Sequence, residues 1–150
     1  MHVEALGHVV LKVRDLRRSE DFYSNTLGMQ VVLRLSDPHM TFFSLGTTGN
    51  HHDFALMELG LDVPSSNDNT TGLAHVAFKI GSSADEFGIA RSELCGSGSH
   101  ILYEAERGFA KSVHVLDPDG NEIELYVDVP GVDWKNQPSL MMARPRPLQI

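Results

Sequence analysis

Two similar sets of short, alternating apolar and polar runs make up most of the chain. Residues 5–13 (ALGHVVLKV) and residues 72–80 (GLAHVAFKI) match at an offset of 67. Residues 57–64 (MELGLDVP) match residues 123–130 (IELYVDVP) at an offset of 66. Because two separate matches share nearly the same offset, the pattern indicates a tandem duplication of about 65 residues.

Each repeat has the same order of predicted elements: a strand, a helix and three further strands. Period-two alternation and β-branched residues predict the strands, at 6–13, 29–36, 40–46, 52–61, 73–80, 99–104, 111–116 and 121–128. The first helix is predicted to begin after Asp15, an N-cap residue, and to end at Gly28. In the second repeat, Ser83 and Glu86 have the spacing of a capping box. The unit βαβββ therefore occurs twice, and the predicted fold class is α+β.

The repeat also divides the chain into segments. We predict a first module over residues 1–64, a polar linker over 65–72, a second module over 73–130 and an extended C-terminal tail over 131–150. The sequence DPDG at 117–120 has the Pro and Gly positions of a tight turn. The last two strands of the second module are therefore expected to form a hairpin.

The composition argues against several classes of function. Lysine and arginine number 12 against 20 aspartate and glutamate residues, which gives a net charge of −8. That acidity argues against a nucleic-acid or anionic membrane partner, since both need clustered basic residues. The single cysteine, Cys95, allows no internal disulfide, and no apolar run approaches the length of a membrane span. We therefore expect a cytoplasmic protein without a signal peptide.

Alternation gives each of three strands one apolar face and one face that carries a metal-type ligand. These ligands are His8 in the first strand, His75 in its repeat and Glu124 in the last strand. Two imidazoles and one carboxylate form the facial site that suits non-haem Fe(II). Taken singly, each residue is also compatible with a hydrogen-bonded sheet histidine or a solvated carboxylate. The recurrence of His and Glu at equivalent positions of the two repeats favours the metal site.

The segments GHVVLKV-DL, FY, LGM, HHDFALMEL, LAHVAFKI and DPDGNEIELY together resemble the vicinal oxygen chelate superfamily, over about residues 5–130. This superfamily includes glyoxalases, bleomycin and fosfomycin resistance proteins and extradiol dioxygenases. The resemblance implies that the paired modules form a curled mixed sheet around a metal cleft, with the helices on the outside. It also implies a homodimer, and His8, His75 and Glu124 match the metal ligands of the family.

The triplet His51, His52, Asp53 most closely resembles the extradiol, catechol 2,3-dioxygenase-like branch. In that branch the second histidine is the acid–base group, and alternation independently turns His52 toward the cleft. His114 precedes Glu124 by ten residues, where the branch often has a tyrosine, and is expected to be a second catalytic donor. The resemblance thus implies an Fe(II) enzyme that cleaves a catechol-type aromatic ring with O2.

Three further residues are expected to contact the substrate. Arg107 stands where the branch often has a cleft histidine, and a guanidinium clamps anionic groups well. The alternative interpretation of Arg107 is a solvated loop residue. Phe54 and Tyr126 are placed by alternation on the same strand faces as His52 and Glu124.

Two other functions stay open from the sequence. A glyoxalase-like isomerase or epimerase would add Glu58 as a fourth metal ligand and would use Ni(II), Zn(II) or Mn(II). Alternation places Glu58 on the same strand face as His52, so the pattern is compatible with both enzymes. A non-catalytic, resistance-type binding protein would use the same cleft, but it would need no complete set of metal ligands.

Overall fold

The structure is a computed structural model that describes residues 1–64, 71–133, 135–142 and 146–147. The chain forms two compact units, Met1–Ser66 (unit 1) and Asn67–Ile150 (unit 2). Most of the expected linker at 65–72 lies outside the described residues. Each unit is considered by itself below.

Unit 1 contains a mixed sheet of four strands and one short helix. In chain order its elements are β1 (Val9–Val13), α1 (Leu16–Asp21), a π-helical segment (Phe22–Thr26), β2 (Gln30–Ser36), β3 (His39–Ser44) and β4 (Phe54–Glu58). The strand order is β1-β4-β3-β2. Strands β1 and β4 are parallel, whereas the other neighbours are antiparallel. This is the predicted βαβββ module.

The helix of unit 1 begins where the sequence predicts, but α1 itself ends at Asp21, before the expected stop at Gly28. Asp15 is its N-cap, and the Asp15 carboxylate accepts a hydrogen bond from the backbone N–H of Arg18 at 2.9 Å. After Asp21 the backbone widens into the π-helical segment, which the sequence pattern did not predict. The chain then turns at Gly28, whose φ of 72° lies in the left-handed region that glycine adopts without strain.

An aromatic cluster forms the core of unit 1 between the helix and one face of the sheet. Tyr23, Phe43 and Phe54 are each 0% exposed. The Tyr23 ring lies 4.8 Å from the Phe54 ring and 6.2 Å from the Phe43 ring, measured between centroids. On β1 the alternation holds, because Leu11 and Val13 are buried while Val10 and Lys12 face solvent. The helix therefore covers the face of the sheet that carries Leu11, Val13 and Phe54.

Unit 2 repeats this architecture with a longer helix. Its elements are β5 (Val76–Gly81), α2 (Ala84–Gly96), β6 (His100–Glu106), β7 (Ala110–Leu116), β8 (Glu122–Asp128), a 3-10 helix (Pro138–Met142) and β9 (Arg146–Pro147). The strand order is β5-β8-β7-β6-β9, with β5 and β8 parallel. The predicted α+β class and the two βαβββ modules are thus confirmed.

Both local signals predicted for unit 2 are present in the structure. Ser83 accepts a hydrogen bond from the backbone N–H of Glu86 at 3.2 Å, and the Glu86 carboxylate accepts one from the Ser83 hydroxyl at 2.8 Å. In the turn between β7 and β8, the Asp117 carboxylate accepts from the backbone N–H groups of Asp119 and Asn121 at 2.9 and 2.8 Å. These bonds hold β7 and β8 together as the predicted hairpin.

The C-terminal tail differs from the expected extended segment. Pro138–Met142 forms one turn of 3-10 helix, and Arg146–Pro147 pairs as β9 with β6. The pairing with β9 covers Ala105 and Glu106 at the end of β6, which is otherwise an edge strand. Among the described helices, none is long and apolar enough to cross a membrane.

Candidate functional site

Two of the three predicted metal ligands lie side by side in unit 2. His75 immediately precedes β5, and Glu124 lies on the neighbouring strand β8, opposite Ala77. His75 Nε2 is 3.3 Å from Glu124 Oε2. The His75 side chain is 38% exposed and the Glu124 side chain 12%. Both donor groups therefore face the side of the sheet that α2 does not cover, and the imidazole is open to solvent.

His114 is the buried centre of a polar network on the same sheet face. It lies on β7 directly opposite Glu124, and it is 0% exposed. Its Nδ1 is 2.7 Å from Glu122 Oε1, and its Nε2 is 3.5 Å from Glu124 Oε1 and 3.3 Å from Ser112 Oγ. One imidazole thus bridges two carboxylates, one of which is a predicted metal ligand.

Tyr103 and Glu122 complete this network, and the sequence analysis assigned neither of them. The Tyr103 ring stacks on His114 with centroids 4.1 Å apart, and its hydroxyl donates to Glu122 Oε1 at 3.1 Å. Burial, followed by the contact with Glu122, raises the pKa of Tyr103, so the phenol keeps its proton at neutral pH. Tyr103 was missed from the sequence because the register of β6 and β7, which pairs Tyr103 with His114, was not predicted.

The network keeps Glu124 ionised. Its hydrogen-bonding contact with His114 is the largest cause that lowers the pKa of Glu124, and it outweighs the opposing effect of burial. Ser112 and the positive charge of Arg107 lower that pKa further. A carboxylate that stays deprotonated at neutral pH is the form that binds a metal ion.

Tyr126 and Arg107 lie on the same face as the network. Tyr126 follows Glu124 by two residues on β8 and is half-buried, and burial raises its pKa. Arg107 follows β6, and its backbone N–H donates to the carbonyl of Ala110 at 2.9 Å. Both residues therefore lie on the sheet face that carries Glu124.

In unit 1, the predicted ligand His8 lies beside the predicted acid–base residue His52. Their ring centroids are 4.5 Å apart, and His52 also meets the Phe42 ring edge-on at 5.0 Å. His51 Nδ1 is 2.6 Å from His52 Nδ1. Desolvation is the largest cause that lowers the pKa of His52. The positive charges that His51 and His8 would carry lower it further. At neutral pH the His52 imidazole is therefore neutral and able to accept a proton.

Asp53 fixes the loop that carries the HHD triplet through hydrogen bonds to its carboxylate. Its carboxylate accepts hydrogen bonds from the backbone N–H of Leu45 at 2.8 Å and from the Asn50 side chain at 3.1 Å. The Asn50 side chain also donates to the carbonyl of Gly7 at 3.1 Å. The loop that carries His51 and His52 is thereby tied to the start of β1, next to His8.

The structure corrects the expectation that Glu58 and His52 share a face. Glu58 pairs with the buried residue Val13, so it lies on the helix side of the sheet. There Glu58 contacts the His39 imidazole, and its Oε1 is 3.5 Å from the backbone N–H of Leu16 at the start of α1. His52 precedes β4 and lies on the opposite face with His8.

Phe54 also faces the helix side, for the same reason. It pairs with Val9 on β1 and packs in the aromatic core against Tyr23. Alternation starting from His52 fails because β4 begins only at Phe54. The structure therefore places Phe54 in the core, away from the exposed face on which a substrate contact was expected.

The donors in unit 2 fit a divalent metal ion. Two neighbouring ligands with bonds of about 2.0–2.2 Å to one ion lie roughly 3 Å apart, and His75 Nε2 and Glu124 Oε2 are 3.3 Å apart. Within the described ranges, no three His, Cys, Asp or Glu side chains converge as a complete metal site. The structure thus brings together two of the three predicted ligands and places the third, His8, in unit 1.

Comparison with known proteins places these features in context. The family model described as "Glyoxalase/Bleomycin resistance protein/Dioxygenase superfamily" matches residues 5–125. Catechol-2,3-dioxygenase of Bacillus subtilis (strain 168) is 32% identical over 130 residues, which cover 87% of this chain and 44% of that protein. The chain therefore spans about half the length of this curated relative.

Two further comparisons cover nearly the whole of the other protein. Lactoylglutathione lyase of Escherichia coli O157:H7 is 33% identical over 129 residues, which cover 80% of this chain and 90% of that protein. The crystal structure of a glyoxylase/bleomycin resistance protein/dioxygenase domain from Frankia sp. EAN1pec superposes with a TM-score of 0.71 at 21% identity. That alignment covers 85% of this chain and 99% of the Frankia chain, so the two share a fold.

Proposed function

Because the chain belongs to the Glyoxalase/Bleomycin resistance protein/Dioxygenase superfamily, we propose that it is an extradiol dioxygenase. In this proposal the enzyme uses Fe(II) and O2 to cleave the ring of a catechol-type aromatic. The superfamily is metal-dependent and contains enzymes of several reaction types, among them dioxygenases and lactoylglutathione lyases. The choice among these reactions therefore depends on the residues around the proposed ligands.

The observation that carries the proposal is the position of His52. Its imidazole is neutral at neutral pH because its pKa is lowered, chiefly by desolvation, and it lies beside His8 on the exposed face of unit 1. A general base must be neutral at the working pH and within about 2.6–3.2 Å of the proton that it accepts. His52 meets the first condition, and its side chain is only half-buried, which leaves room for a substrate to meet the second.

The proposed ligands are His8, His75 and Glu124. Two neutral imidazoles and one carboxylate leave a divalent ion with a net charge of +1, which suits the binding of a catecholate through its two vicinal oxygens. In this arrangement His52 takes a proton from a catechol hydroxyl and returns it to the product. Tyr126 provides an aromatic wall two residues along β8 from Glu124.

We propose that His114 acts mainly through Glu124. His114 Nδ1 lies against Glu122 Oε1, so its Nε2 faces Glu124 and Ser112. The stacked Tyr103 ring holds the plane of the imidazole. Such hydrogen bonds around a ligand carboxylate orient it and strengthen metal binding in other proteins.

The similarity to lactoylglutathione lyase supports a second candidate, a glyoxalase-like isomerase. That reaction needs a displaceable carboxylate ligand as base, and Glu58 is the residue that the repeat offers. In unit 1, however, Glu58 contacts His39 and the start of α1 instead of the face that carries His8. This geometry favours the dioxygenase.

The two candidates are separated by an oxygen-uptake assay on anaerobically Fe(II)-loaded protein with a panel of catechols. We expect O2 consumption and a yellow ring-cleaved product. His52→Ala should keep its iron and lose about 10²–10⁴-fold in turnover, the usual contribution of an acid–base group. Glu58→Gln is the matched control and should keep nearly full turnover. No uptake with any catechol, together with Ni(II)-dependent turnover of a hemithioacetal that Glu58→Gln abolishes, would overturn the proposal.

A further inference from the structure

The end of β6 carries an arginine on the sheet face that holds the proposed ligands of unit 2. The backbone N–H of Arg107 donates to the carbonyl of Ala110, so the β6–β7 ladder continues one residue beyond β6. Tyr103 and Ala105 pair with His114 and Ser112 across these two strands. Because alternate residues share a face, Arg107 lies on the face of Tyr103 and His114.

The Arg107 guanidinium has a buried donor that is not used. Its Nε atom is buried, and no hydrogen-bond partner for it occurs in the described part of the chain. Arg107 also makes no ion pair with a carboxylate among those residues. Buried donors are paired in the great majority of native structures, so an unpaired one needs an explanation such as a ligand.

The local charges agree with a ligand that is anionic. Arg107 shares a sheet face with Tyr103, whose ring stacks on His114, and His114 lies directly opposite the proposed metal ligand Glu124. Lys79, on the same sheet face, already forms an ion pair with Asp128 at 2.6 Å. Arg107 therefore supplies positive charge beside the network that is not neutralised by an ion pair within the described ranges.

From this geometry we propose that Arg107 forms an anion subsite, and that the natural substrate is an aromatic diol that carries a carboxylate. The identity of the aromatic part rests on the proposed function. A guanidinium binds a carboxylate through two parallel N–H···O bonds, which fix the orientation of the ligand as well as its affinity. The carboxylate would occupy the unused Nε–H donor and hold the two hydroxyl groups toward Glu124.

The kinetic test compares protocatechuate, a carboxylated catechol, with catechol itself. In the wild-type protein kcat/KM should be higher for protocatechuate. Arg107→Met keeps the length and the apolar stem of the side chain, and it should lower the preference for protocatechuate by about 10–100-fold, the effect of losing a charge-assisted bidentate contact. Lys111→Met is the matched control, because it removes one positive charge near the start of β7, on the opposite face of the sheet from Arg107. This control should leave the preference unchanged.

A binding test keeps the subsite separate from the proposed reaction. In metal-free protein, the Nε–H signal of Arg107 is identified by its loss in Arg107→Met and is followed by NMR during titration. Protocatechuate and benzoate should shift this signal, whereas catechol and phenol should not. If the signal shifts but no catechol is oxidised, the subsite stands and the proposed function fails. An equal response to charged and neutral ligands, or an unchanged substrate preference in Arg107→Met, overturns the subsite.

Discussion

Replacing Phe54 should destabilise the protein strongly, because this side chain is part of the core of unit 1. Phe54 is 0% exposed and lies within 4.8 Å of the Tyr23 ring and 6.0 Å of the Phe43 ring, measured between centroids. A fully buried phenylalanine removes roughly 150–200 Å² from water, which at about 25 cal/mol per Å² is worth roughly 4 kcal/mol. Phe54→Ala should therefore lower the free energy of unfolding by about 3–5 kcal/mol.

The assay is urea denaturation of the metal-free protein, followed by circular dichroism. For a slope of about 2 kcal/mol per molar urea, the midpoint of Phe54→Ala should fall by roughly 2 M. Phe42→Ala is the matched control, because Phe42 is half-buried on the opposite face, beside His52. We expect this control to shift the midpoint much less. An unchanged midpoint in Phe54→Ala, combined with a raised KM, would refute the core assignment and restore Phe54 as a substrate contact.

Three further predictions concern stability and assembly. The Glu20 carboxylate accepts hydrogen bonds from Arg34 at 2.7 Å and Thr41 at 2.6 Å, and the bond from Arg34 is the largest cause that lowers its pKa. Glu20→Gln should therefore lower the free energy of unfolding at pH 7. Urea melts at several pH values should show this difference from wild type shrinking as pH falls from about 5 through the lowered pKa of Glu20. Ser83→Ala should cost about 1 kcal/mol through loss of the helix cap, measured in the same way, and an unaltered midpoint would contradict the cap. Strand β2 is an edge strand that carries the exposed Leu33, so we expect a homodimer. Light scattering should give twice the chain mass of 16.5 kDa, and a mass of 16.5 kDa at micromolar concentration would exclude the dimer.

The duplication made the fold predictable from the sequence. Matching segments in the two halves placed corresponding strands at corresponding positions, and local signals such as the Ser83–Glu86 capping box fixed where a helix begins. The same reasoning placed His75 and Glu124 each on the polar face of its strand, and the structure brings the two side chains together on one sheet face. These features depend on short-range periodicity, which a single sequence contains.

The strand register was not predictable, and it changed the candidate site. In unit 2, Ala77 pairs with Glu124, whereas in unit 1 the corresponding Val10 pairs with Ala55. The two partner residues, Ala55 and Glu124, are therefore 124 − 55 = 69 positions apart in the sequence. The repeat in this region instead matches residues that are 66 positions apart. A difference of three residues is odd, and an odd shift turns every side chain to the other face. Glu58 consequently lies on the helix side, unlike its counterpart Glu124.

The network around His114 depends on contacts across strands. Glu122 and His114 are eight residues apart in the chain, and Tyr103 reaches both only because β6 pairs with β7. The pairing of Tyr103 with His114 follows from the register shift in β6 between Ile101 and Tyr103, and the alternation pattern of the sequence does not reveal that shift. Positioning groups of this kind become visible only once the register is known.

The most direct test of the central claim is the metal content of anaerobically Fe(II)-reconstituted protein, measured by inductively coupled plasma mass spectrometry. The account predicts about one ion per chain in the wild-type protein and in Glu58→Gln. His8→Ala, His75→Ala and Glu124→Ala should each lose stoichiometric metal while circular dichroism stays unchanged, because the core packs on the opposite faces of the sheets. Full metal content in His75→Ala would contradict the ligand assignment on which the proposed function depends.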